Sequence, residues 1–335
     1  MDALKQHYTI VFSQAFSPCG KYLAAGNNYG KIGVFSLSGF LNEEENSYPK
    51  HESKFPVCTL QAHDDSVYAM TSNDKFLISG GNGVIHGWRW ADVKSKETKP
   101  AWSLSIPQGE NLTMPEVNSL CLSTKGERPA VYAGGGDNKV YCWDLESGTL
   151  LMTLEGHTDY IHCVTVSSTS VKCASASEDG SVRIWDTRKP GEAVHKLEPH
   201  KHEDLHRPRY GKWVGCVALD NQDDWMVCGG GPRCYLWHMR SLSPVTPLVA
   251  GEETATVATF YDDTIITAGS RPFVYHWSFV GEIKAEVPTS ASSIYSIAIS
   301  EDSPQKMLSA GGTSYKLDIC TNFMYRDFSL FFPSS

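Results

Sequence analysis

Along the chain, a short apolar run repeatedly gives way to a small-residue or glycine-rich turn. A strand of alternating character then follows and closes on a large side chain. The element appears as YLAAGNNYGKIGVF, FLISGGNGVIHGW, AVYAGGGDNKVYCWD, CASASEDGSVRIWD, MVCGGGPRCYLWH, IITAGSRPFVYHW and MLSAGGTSYKLDI. In SVRIWD, Val182 and Ile184 point one way while Ser181, Arg183 and Trp185 point the other, the period-2 signature of a strand. The turns are rich in Gly, Asn and Asp, as tight hairpins that need positive φ require. No sustained apolar stripe of helical period occurs; residues 39–45 suffice for one helical turn at most.

The closing positions are Phe35, Trp88, Trp143, Trp185, Trp237, Trp277 and Ile319, separated by 53, 55, 42, 52, 40 and 42 residues. Three of these intervals fit the roughly 40–45 residues of a four-stranded propeller blade. The longer ones require surface inserts. The polar, charged or proline-bearing segments LNEEENSYPKHESKF, KSKETKP, PQGENLTMPE and EPHKHEDLHRPRYGKW lie where such inserts are needed. The expected fold is therefore an all-β, seven-bladed β-propeller, a single domain over residues 1–335. Its first inner strand is expected at 11–16, after a short N-terminal extension, 1–7. The β-prone C-terminal segment 323–331 is expected to supply the outer strand that closes the last blade.

Composition narrows the classes of function. With 41% hydrophobic and 20% charged residues the 335-residue chain can bury a large core. Its formal net charge of −9 provides no bulk attraction to phosphate backbones or anionic lipid, so any RNA contact needs a local basic patch. The start, MDALKQHYTIVFSQAF, does not read as a signal peptide, and no apolar run is long enough to span a membrane. Ten cysteines without a C-x-x-C pair read as reduced thiols in an intracellular protein.

GH at 156–157 and WD at 185–186 frame a segment that resembles a WD40 repeat, and the likeness extends over essentially the whole chain. In that family a His, a Ser or Thr, the turn Asp and the strand Trp form a buried hydrogen-bonded tetrad. The resemblance implies His157, Ser175, Asp179 and Trp185 here. Other repeats depart from the pattern: the second keeps His63, Ser79 and Trp88 with Asn82 in the turn, and the third keeps Asp137 and Trp143 with Ala133 in place of the hydroxyl. Phe35 and Ile319 carry no indole N–H. The segments SPCGKYLAAGNNYGKI, TLQAHDDSVYAM, EGHTDYIHC and DWMVCGGGP, in this order, together with YRDFSL, resemble the THO complex subunit 6 family. That resemblance implies a non-enzymatic scaffold in the THO/TREX machinery, which couples transcription and processing of mRNA to nuclear mRNA export. It implies other THO subunits as protein partners, indirect or weak RNA contact through the complex, and a nuclear location, speckles being one candidate site within it. No cofactor, metal, membrane or small-molecule substrate is expected.

Four features invite chemistry of their own. Ser175, His157 and Asp179 have the residue types of a hydrolytic triad, but no G-x-S-x-G elbow accompanies them and all three fall on tetrad positions. The glycine clusters match no phosphate loop and recur at one turn of the repeat. His200, His202, Glu203 and His206 form the best metal-like cluster, without a recognised zinc spacing. The same insert is locally basic, which makes Lys201, Arg207, Arg209 and Lys212 candidate partner contacts. Finally, WDTR at 185–188 resembles the motif by which WD40 substrate receptors dock onto cullin-RING ubiquitin ligases. In that alternative reading Asp186 and Arg188 face a partner.

Overall fold

The computed structural model describes residues 2–41, 54–95, 99–108, 114–123, 128–189, 191–300 and 306–333. These contain seven four-stranded sheets, each with its strands paired in chain order. The chain is all-β with seven blades, the β-propeller class that the repeat predicts. Blades 1 to 7 occupy residues 11–61, 69–105, 117–154, 161–197, 214–248, 255–288 and 294–331. The first strand is Val11–Phe16, where the apolar pattern places it. Of the expected inserts, residues 42–53, 96–98 and 109–113 lie outside the described residues.

The single domain expected from the repeat divides by its contacts into two compact units. The first comprises Met1–Pro107 and Val287–Ser335 and holds blades 1, 2 and 7. Three short helices, Asp2–His7, Ser38–Leu41 and Trp90–Lys94, belong to it. Helices of four to six residues present too few turns to leave a periodic stripe, so the sequence pattern signals little of them. The third is held by burial of Trp90 and Val93, one helical turn apart, in a core with Val34, Leu60 and Trp88.

Blade 7 corrects two expectations. Leu308 pairs with Cys320 and Ala310 with Asp318, so Cys320 occupies the position that Trp185 holds opposite Cys173 in blade 4. Ile319 is its neighbour and faces the opposite way. The closing strand is Phe328–Phe331, shorter than the expected 323–331. Thr321 donates to the Asp327 carboxylate from both its amide and its hydroxyl (2.6 and 2.9 Å), which closes a loop before pairing resumes. Phe328 stacks on Phe40 (4.2 Å between centroids) and Phe332 meets Phe35 edge-on, so these apolar side chains are covered.

The second unit, Gln108–Glu286, holds blades 3 to 6. Here strand alternation sorts side chains between two cores. Trp185 and Cys173 pack with Ile161 of their own blade and with Val140 and Leu154 of the neighbouring blade 3. Val182 and Ile184 pack with Val214, Val217 and Met226 of blade 5. A blade strand is thus apolar on both faces.

Six inner strands share a register shift near their start, which leaves Phe12, Asn118, His162, Gly215, Thr256 and Tyr295 outside the ladder. Such bulges bend a strand and re-aim the extra side chain.

Candidate functional site

Blade 4 places its polar tetrad residues in one buried chain. Trp185 Nε1 donates to Ser175 Oγ (2.9 Å), and Ser175 Oγ lies 2.8 Å from His157 Nε2. His157 Nδ1 lies 2.8 Å from Asp179 Oδ2. A carboxylate only accepts, so Nδ1 carries a hydrogen and donates to Asp179. Burial pushes the Asp179 carboxyl up, but hydrogen bonds from His157 and Ser181 and the Thr158 amide outweigh it. They hold the carboxyl well below the usual carboxylate range.

This connectivity is the one that a Ser–His–Asp triad needs, yet the site cannot meet a substrate. Ser175 is fully buried and its oxygen already accepts the Trp185 indole hydrogen. What the arrangement does is tie the first loop, the second strand, the turn and the third strand of the blade together with mutually satisfied polar groups.

The other blades keep fragments of the chain. In blade 2, Ser79 Oγ accepts from Trp88 Nε1 (3.0 Å) and meets His63 Nε2 (2.9 Å). Asn82 turns instead to Asp65 Oδ2 (3.2 Å), leaving the buried His63 Nδ1 without a hydrogen-bond partner. The His63 ring stacks on His86, 5.0 Å away. Burial first, then the second imidazole, lowers the His63 pKa to about 4. In blade 3 Asp137 accepts from Tyr141 (2.5 Å), and in blade 6 Trp277 donates to Thr267 (2.8 Å).

The WDTR segment forms a local ion pair. Arg188 donates to both Asp186 oxygens (2.9 and 2.8 Å), and its side chain is 66% exposed against 19% for Asp186. That pairing holds the Asp186 carboxyl well below its ordinary range.

The basic insert is more ordered than an exposed loop, with 3-10 turns at Pro199–Lys201 and Pro208–Tyr210. It packs against the tetrad turn: His200 Nδ1 donates to the Gly180 carbonyl (3.1 Å). A Cβ on Gly180 (φ +86°) would meet Lys212 Cδ at 2.9 Å.

Arg207 does not face a partner. It is 7% exposed and its guanidinium donates to the carbonyls of Gly231 (2.9 Å), Glu253 (2.7 Å), Gly230 (3.0 Å) and Pro232 (3.3 Å). Four converging carbonyls form a site only a multi-donor cation can satisfy, and Arg207 is consumed in filling it. Lys201, Arg209 and Lys212 are exposed, Lys201 pairing with Glu198 (2.7 Å). His200, His202 and His206 do not converge: His202 meets Trp237 edge-on, and His206 is exposed. Among the described residues no group of three His, Cys, Asp or Glu side chains is placed to hold a metal.

Asp318 was not singled out by sequence pattern. It is 2% exposed and accepts from the Ser290 amide (2.5 Å) and hydroxyl (2.9 Å) and from Ser329 Oγ (2.6 Å), with Arg326 at 3.5 Å. It clasps the closing strand of blade 7. The only sequence signal is an acid at a strand position where its counterpart in blade 4 is Arg183.

The family model for the WD domain, G-beta repeat, matches residues 2–36, 54–89 and 148–186. The chain is 45% identical to THO complex subunit 6 of Homo sapiens over 336 residues, covering 99% of this chain and 95% of that protein. It is 43% identical to a THO complex subunit 6 homolog of Danio rerio (99% and 100% covered). It is 34% identical to THO complex subunit 6 of Drosophila melanogaster (97% and 89% covered).

Proposed function

This chain belongs to the THO complex subunit 6 family, and on that footing we propose that it is a non-enzymatic scaffold subunit of a THO complex. In this reading it supports assembly of THO/TREX and so couples transcription and processing of mRNA to nuclear export. The observation that carries the reading is identity of 43–45% to vertebrate relatives of that name along nearly the full chain. The dry tetrad adds physical support, because the best hydrolase-like constellation is sealed and structural. Blade edges and exposed loops offer several protein-binding surfaces on a rigid frame, which is what a scaffold requires.

The chain works in the nucleus in this proposal, and RNA is contacted weakly or through other subunits. The net charge of −9 supports that division, and burial of Arg207 removes one of the four insert cations from the surface. The ligase-receptor reading through Asp186 and Arg188 is not favoured: the relatives matched along nearly the full chain carry THO names, and the two side chains satisfy each other. Affinity purification of the tagged chain from nuclear extract, read by mass spectrometry, tests the proposal. Recovery of THO subunits supports it, and recovery of ubiquitin-ligase adaptors without them overturns it.

A further inference from the structure

In the first unit, the bulges of the inner strands of blades 1 and 7 leave Phe12 and Tyr295 out of the ladder. Tyr68 directly precedes Ala69–Ser72, the inner strand of blade 2. The inner strand of blade 1 packs against those of blades 7 and 2, so the three rings stand in a row. Tyr295 and Phe12 are 5.6 Å apart between centroids at 45°, and Phe12 and Tyr68 are 6.0 Å apart at 30°. Tyr295 is 37% exposed and Phe12 and Tyr68 are half-buried, so the row reaches solvent at Tyr295.

The row is held rigid from beneath. Ser13 donates to the Val67 carbonyl (3.0 Å), pinning the residue after Phe12 to the residue before Tyr68. Gln14 Nε2 donates to the Ser296 carbonyl (3.1 Å) and meets its hydroxyl (2.8 Å), while Gln14 Oε1 accepts from Ser309. These buried contacts fix the ring spacing before any ligand arrives, which removes an ordering cost from binding.

Charge selects the ligand. The loops at this end of the three blades (residues 8–10, 27–30, 62–67, 81–83, 289–293 and 313–315) contain no Lys or Arg. They carry Asp64 and Asp65, both exposed. Lys5 and Lys31 line, together with Asp64 and Asp65, a cleft of about 540 Å³ that runs to Thr59 and Gln61 on the outer strand of blade 1, and Lys5 already sits over the Tyr29 ring at 5.9 Å. A nucleobase would also stack on such rings, but its phosphates would meet two carboxylates and no cation in these loops.

We propose that the Tyr295–Phe12–Tyr68 row is a docking site for an arginine side chain of a basic peptide segment. The guanidinium is planar and weakly hydrated, stacks on aromatic faces and is drawn to the negative face of the ring. Asp64 and Asp65 and the chain's net charge of −9 favour a basic partner further. The site is independent of the THO assignment and concerns a surface that assignment does not specify.

Fluorescence anisotropy on the full chain at low salt tests it, with a fluorescein-labelled peptide of three Gly-Arg-Gly repeats as probe. Binding is expected, weakened about fivefold by Tyr295→Ala and retained in Tyr295→Phe. The Gly-Lys-Gly counterpart should bind more weakly, and Asp64→Asn should reduce affinity for both. Tyr325→Ala, an exposed tyrosine of blade 7 outside the row, should change nothing, and circular dichroism should show all variants folded. No binding, equal loss in Tyr325→Ala, an unaffected Tyr295→Ala, or preference for a uridine-rich RNA nonamer over the arginine peptide would each overturn the proposal.

Discussion

The His157 imidazole lies 2.8 Å from the Asp179 carboxylate, with the two side chains 0% and 5% exposed. A pair this dry is held by the partners on either side of it: Ser175 and Trp185 beyond the ring, Ser181 and the Thr158 amide beyond the carboxylate. Removing one member therefore strands the rest.

His157→Ala should lower unfolding free energy by about 3 kcal/mol, because a buried carboxylate and a buried hydroxyl each lose a partner. Urea denaturation measures this, and the yield of assembled complex should fall with it. A serine-reactive fluorophosphonate probe should leave Ser175 of the folded chain unlabelled.

Blade 2 offers the converse experiment. Asn82→Asp would place a carboxylate where blade 4 has one, next to the orphaned His63 Nδ1. A gain of about 1 kcal/mol is expected in thermal or urea unfolding. A neutral or lower stability would mean that the Asp65 contact, rather than the residue type, holds the turn away from the ring.

Acid should weaken the fold through two buried imidazoles, offset in part by the buried Glu253 carboxyl, which burial pushes up to about 7 so that it takes its proton first in the folded state. Burial lowers both His63 and His276 to about 4 from 6.5, so the unfolded chain binds those protons first as pH falls. Stability should consequently rise with pH between about 4 and 6.5, each ring contributing up to about 3 kcal/mol across the window. The depressed Asp179 acts lower, its contribution being lost only as pH falls below 3.8. Urea midpoints from pH 7 to 4.5 report the slope, and His63→Gln should flatten it.

Two arginines two residues apart should behave oppositely. Arg207→Ala leaves four carbonyls unpaired and should cost about 3 kcal/mol or more. Arg209→Ala, on the exposed face, should change stability by less than about 0.5 kcal/mol. Equal effects would show that the insert is not anchored through Arg207.

Arg188→Glu breaks the pair with Asp186 and reverses an exposed charge. Recovery of THO subunits in pull-downs should be unchanged. Loss of ligase adaptors alone, with THO subunits retained, would instead favour the alternative docking role of the WDTR segment.

The sequence by itself determined the number of blades and the location of the best-kept repeat. Strand period and glycine turns are local properties of the backbone, repeated at each blade, so Val11–Phe16 and the Trp185 strand can be read without knowing what they touch. Register, exposure and partnership are not local. Cys320 rather than Ile319 faces Leu308 because strand pairing sets the face, and one residue of slip exchanges the two faces. Arg207 reads as a surface cation until Gly230, Gly231, Pro232 and Glu253, at least 23 residues away, converge their carbonyls on it. Phe12, Tyr68 and Tyr295 are anonymous aromatics hundreds of residues apart at the extremes, and only the packing of three inner strands makes them one surface. Tertiary structure decided these points because hydrogen-bond satisfaction and solvent access depend on which distant segments the fold brings together.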